Sequence, residues 1–142
     1  MTPEERVRAF LDAMTAWEPR ALRAITTGAS ATEKESVKAA LRAIYDEHLS
    51  DKGKAPARFG RNLAAPGPTV QDPPKFEQDV QRVEDGPKKS LFYVVTKPRR
   101  DPNTGWRFTV AVDAKGVPRI DDLHGAPMRE GKLVGEWAKF GY

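Results

Sequence analysis

The 142-residue chain contains no cysteine. That excludes disulfides, thiolate zinc sites and a cysteine nucleophile, and it fits a reducing compartment. No apolar run approaches the ~20 residues that cross a bilayer. The N-terminus, Met1-Thr2-Pro3-Glu4-Glu5, has acid where a signal peptide needs base and then an apolar stretch, so the cytoplasm is the default expectation. Only two histidines are present, His48 and His124. Phosphate-binding glycine loops are missing too, because Gly125, Gly131 and Gly135 lack a strand before and a helix after them. Ser30, Ser36, Ser50 and Ser90 lie in no nucleophile-elbow motif. The sequence advertises no cofactor and little chemistry.

What remains is the composition of a globular protein: 39% hydrophobic and 31% charged residues, neither disordered nor membrane-like. The length suits one domain over 1–142, large enough to bury a core without staples. Lys and Arg number 24 against 20 Asp and Glu, a net charge of +4. That excess tolerates an acidic partner but is too small and too dispersed to indicate nucleic acid. Lys97, Arg99, Arg100 and Arg107 form the nearest thing to a basic cluster, and they read as a solvated hairpin.

Hydrophobic periodicity gives the order of elements. Val7, Phe10, Leu11, Met14 and Trp17 recur at steps of three and four, a helical stripe that starts at Thr2-Pro3-Glu4-Glu5 and breaks at Pro19. A short second helix follows from Pro19 to about Thr26. Ser30-Ala31-Thr32-Glu33 has the form of a capping box. It opens a third helix with Val37, Leu41, Ile44, Tyr45 and His48 on one face, so the helices occupy about 3–50. Between about 51 and 75, Pro and Gly recur too often for helix or central strand, which reads as a crossover. Strands are expected at about 76–84, 90–97, 105–114 and 117–123, giving an antiparallel sheet over about 76–124 and a C-terminal tail over 125–142. In Trp106, Phe108, Val110 and Val112 the strict alternation puts one apolar face on its strand and leaves Arg107, Thr109, Ala111 and Asp113 opposite. The fold class is α+β, with three N-terminal helices packed on a curved antiparallel sheet.

Few residues qualify as reactive. His48 has Asp46 and Glu47 beside it, but neighbours on a helix point to different faces. It reads as a structural histidine at the C-terminal end of its helix, favourably placed against the dipole. Asp121, Asp122 and His124 could offer two carboxylates and an imidazole, yet no second His or Cys set accompanies them, and no metal is expected.

Helices followed by a Pro-rich crossover and a sheet carrying Trp106-Arg107-Phe108-Thr109-Val110 resemble the nuclear transport factor 2-like (cystatin-like) fold, a cone-shaped α+β barrel. Met14-Thr15-Ala16-Trp17-Glu18 resembles the Met-Asn-x-Trp-Glu stretch of bacterial immunity proteins built on that fold, among them partners of Rhs-type polymorphic toxins. Arg58-Phe59-Gly60-Arg61 and Pro73-Pro74-Lys75-Phe76 are similar to that group's Gly-Arg and Pro-Pro segments. Phe92-Tyr93-Val94-Val95-Thr96 and Trp106-Arg107-Phe108 are similar to its paired strands. The resemblance spans roughly residues 5–124. Thr15 stands where Asn is expected, Lys75 where Glu is, and Val117-Pro118-Arg119-Ile120 lacks the usual Trp.

The resemblance implies a cytoplasmic antitoxin that binds and neutralises a cognate protein toxin, with no enzymatic role and no membrane association. A homodimer stays open. Such a protein needs a rigid scaffold and a specific surface, with ~1,200–2,000 Å² typical of a stable interface. Arg, Trp and Tyr most often carry interface energy, which singles out Arg58, Arg61, Lys97, Arg99, Arg100, Trp137 and Tyr142. Each has a duller alternative: Arg58 and Arg61 tying the crossover to helix carboxylates, Trp137 capping the open end of the sheet. The rival reading is an isomerase- or hydratase-like enzyme or small-ligand carrier of the same fold, with a pocket in the cone and Tyr45, His48, Asp121 and Asp122 as its polar groups.

Overall fold

A computed structural model describes residues 1–54 and 75–139, apart from the side chains of Ile25 and Thr26. Helix α1 (Pro3–Thr26) opens with a complete capping box: Thr2 accepts from the Glu5 amide, and the Glu5 carboxylate accepts from the Thr2 amide. Its stripe, Val7, Phe10, Leu11, Met14 and Trp17, is buried as the spacing requires.

That stripe does not stop at Pro19. Two helices, not three, precede the sheet among the described residues, because the expected first and second are one. Ala21 and Ala24 continue the buried face, and the Trp17 indole donates to the Val37 carbonyl of the next helix at 2.9 Å. Burial along this face outweighs the ~3 kcal/mol that an interior proline costs. Pro19 lies on the exposed side, where the Thr15 carbonyl that loses its partner can turn to water.

Helix α2 (Ala31–His48) begins at Ser30, whose hydroxyl accepts from the Glu33 amide at 3.2 Å, half of the box expected there. It buries Val37, Leu41, Tyr45 and His48, with Ile44 partly buried beside them. Leu49 then bridges to Ile120, and the Ser50 amide donates to the Ile120 carbonyl, so the end of α2 is tied to the sheet. A Cβ on Gly53 would strike that same carbonyl oxygen, so only glycine lets the chain pass so close.

The sheet is an antiparallel meander of β1 (Gln78–Asp85), β2 (Leu91–Pro98), β3 (Thr104–Val112) and β4 (Pro118–Arg129). Short strands β5 (Lys132–Leu133) and β6 (Ala138–Lys139) both pair with the far edge of β4. The sheet therefore runs past residue 124 into the segment read as a tail. Register shifts between Val80 and Arg82 and between Thr109 and Val110 mark bulges, which strengthen local twist and help the sheet curl.

Trp106, Phe108 and Val110 point to the helices, as their alternation predicts. Phe10 of α1 sits at the middle of the core, with ring centroids 6.5 Å from Tyr45, 6.1 Å from Phe108 and 5.9 Å from Phe76. Phe76 meets Trp106 edge-on at 5.5 Å. Aromatic rings thus fill the space between α1 and the sheet. No helix among the described residues is long and apolar enough to cross a membrane.

Candidate interaction surface

Alternation along β2 and β3 assigns the outer face of the sheet. Val94 and Thr96 pair with Phe108 and Trp106 on the inner side, so Tyr93, Val95, Lys97, Arg107 and Thr109 look outward. This face is not uniformly polar. Val95 is fully buried yet stands outside the helix-packed core, opposite Arg107 across the strand pair. Ala126 and Met128 of β4 are likewise buried outside that core.

Arg107 organises the patch. Its guanidinium carbon lies 4.1 Å from the Tyr93 ring centroid and 5.1 Å from that of Trp137. Trp137 reaches it because β6 pairs with β4 at His124 and Gly125, beside the position where His124 faces Arg107. Cation–π attraction of this kind is worth about 0.5–2 kcal/mol, more where water is excluded. The Arg107 Nε is sealed from solvent without a hydrogen-bond partner.

The basic turn between β2 and β3 lies beyond Lys97 on the same side. Arg99 donates to Asp79 at 3.1 Å and to Glu77 at 3.4 Å. The hydrogen bond and charge of Asp79, followed by Glu77, raise its pKa above the ordinary value. Lys97 and Arg99 line a shallow depression of about 260 Å³ with Asp79, Gln81, Pro98 and Pro102. Arg100 is exposed and pairs with no described residue. Leu133, the last residue of β5, and Val134 after it are exposed at 41% and 57%.

Of the residues singled out in the sequence, Lys97, Arg99 and Trp137 therefore belong to this face, and Arg100 is exposed in the turn that adjoins it. Arg58, Arg61 and Tyr142 lie outside the described residues. Sequence reasoning missed Tyr93; it set Arg107 on the outward face of its strand but counted it in a solvated hairpin, whereas the residue is half-buried. The available signal was Val95, an apolar residue at an outward position of the period-two pattern.

The polar groups of the enzyme reading lie on different sides of the sheet. Tyr45 and His48 are buried beside Phe10, on the inner side of the sheet. Asp122 pairs with Thr109 on the outer side, and Asp121, at the bulge, accepts from the Ser50 hydroxyl. Among the described residues no group of three or more His, Asp or Glu could hold a metal ion. His48 is structural, but not through the helix dipole. Burial, then the nearby positive charges, lowers its pKa against the opposing pull of Glu47. Its Nδ1 takes a hydrogen bond of 2.9 Å from Arg6, which requires an unprotonated Nδ1. Arg119 instead serves the end of α2, donating to the Asp46 and Glu47 carbonyls at 3.1 Å each.

A long helix held by a curled antiparallel sheet, with a cation–aromatic patch on the outer face, defines a scaffold that offers a surface. The chain matches the family model described as NTF2 fold immunity protein over residues 2–141. It belongs to that family of immunity proteins. Searches of curated proteins and of solved structures find no match.

Proposed function

We propose that this protein is the antitoxin of a bacterial polymorphic toxin system of the Rhs type, acting in the cytoplasm by binding its cognate toxin. The family supports an immunity role. Neutralisation then needs only a stable complex that keeps substrate from the toxin. The single observation that carries the reading is the family assignment over nearly the whole chain. The outer face around Arg107, with Lys97 and Arg100 at its rim, supplies the residue types that anchor such interfaces.

Co-expression with the product of the neighbouring gene tests it. The expected result is co-purification as a complex together with survival of cells that the neighbour alone kills. His48→Ala, Asp121→Asn and His124→Ala should each still protect. Loss of protection in all three, with folding and binding intact, would instead point to catalysis.

A further inference from the structure

Three described arginines are not exposed: Arg6, Arg107 and Arg119. Arg6 donates to the Pro118 carbonyl at 2.8 Å and to His48, and Arg119 to two helix carbonyls. Some exposed arginines are committed as well, Arg8 to Glu4, Arg82 to Glu84 and Arg99 to Asp79. Arg107 makes no side-chain hydrogen bond or ion pair among the described residues. A guanidinium carries five N–H donors; here the Nε–H is sealed from solvent with no acceptor, beside two rings that offer no lone pair. Burying a charge without an acceptor is costly unless one arrives from elsewhere.

The geometry points to Arg107, held between Tyr93 and Trp137, as a receptor for an Asp or Glu carboxylate of the protein partner. This rests on the interaction reading above and adds the chemistry of the contact. Rings at 4.1 and 5.1 Å fix the head group before the partner arrives, so little side-chain freedom is lost on docking. The in-plane N–H pairs left over match a carboxylate through two parallel hydrogen bonds, which an ammonium cannot reproduce. Lys97 on the same face and Arg100 in the adjoining turn add positive charge, and no acid pairs with either within the described residues. The complementary surface is therefore acidic at its centre.

Two measurements test the receptor separately from the antitoxin reading. In the first, the Arg107 Nε–H and Trp137 indole resonances of the isolated protein are followed while sodium acetate replaces sodium chloride at constant ionic strength. A saturable, acetate-specific shift is expected, and it should vanish in Arg107→Gln. An identical response to both salts would overturn the proposal, whether or not any toxin binds. In the second, the complex with the neighbouring gene's product is titrated. Arg107→Lys, which keeps the charge, should weaken it at least about tenfold with an unchanged melting temperature. Equal affinity in wild type and Arg107→Lys would also overturn the receptor while leaving the antitoxin reading intact. No complex in the wild type would remove the antitoxin reading alone.

Discussion

Arg6 Nη1 lies 2.9 Å from His48 Nδ1, a bond that joins α1 to the last turn of α2 and can form only while that nitrogen is unprotonated. Arg6 also reaches the Pro118 carbonyl, so one side chain holds both helices to the start of β4. Three charges face the imidazole: Arg6 from α1, Arg119 from β4 and Glu47 from α2 itself.

Stability should consequently fall in mild acid. The native pKa of His48 lies below its ordinary 6.5, chiefly through burial. Between the two values the unfolded chain binds a proton that the native protein does not, so stability rises with pH across that window and is lost as pH drops through it. One such group contributes a slope of at most about 1.4 kcal/mol per pH unit. Urea unfolding at pH 7.5 and 5 measures it. His48→Asn, which keeps an acceptor for Arg6, should show a smaller difference than wild type; an equal difference would assign the effect to other groups.

The inner face of β3 should be the costliest place to truncate. Trp106→Ala and Phe108→Ala each empty an aromatic site in contact with Phe76 or Phe10, and a loss of ~3–5 kcal/mol is expected. Denaturant titration reads it directly. Losses below about 1 kcal/mol at both positions would contradict the core described.

Pro19→Ala should stabilise. It restores the amide that the Thr15 carbonyl lacks, while returning some freedom to the unfolded chain. The expected net gain is about 1–2 kcal/mol. A loss instead would mean that the proline sets a bend on which the packing of Trp17 and Ala21 depends.

Within the basic turn the two arginines should behave differently. Arg100→Glu should slow toxin association severalfold at low salt without altering the melting temperature, since it breaks no pair among the described residues. Arg99→Glu places a third acid beside Glu77 and Asp79; exposed pairs of this kind are worth about 0–1 kcal/mol, so a small loss of stability is expected alongside any kinetic effect. Stopped-flow association at about 0.05 and 0.5 M salt separates them.

Helix-then-sheet order was legible because both periods are strong: the Val7–Trp17 stripe repeats at helical spacing and Trp106–Val112 at two. Pro19 misled because a proline is a local breaker, whereas the continuation of α1 is decided by a tertiary contact, Trp17 to Val37, which no window of sequence contains. The full length of β4 was hidden in the same way by Gly125 and Pro127; the Pro127 carbonyl is nevertheless bound by the Val134 amide at 3.1 Å. Lys97, Arg99, Arg100 and Trp137 could be chosen by residue type. The clamp could not, since Tyr93, Arg107 and Trp137 come from β2, β3 and the approach to β6, and only the folded sheet joins them.

Whether protection is stoichiometric tests the central claim most directly. Purified toxin is assayed against its own substrate while this protein is added in increasing amounts. Neutralisation by binding predicts a linear fall in activity that reaches its floor at a fixed molar ratio and does not deepen with further incubation. Activity that continues to disappear with time at well below one protein per toxin would contradict it, and would make the protein a catalyst.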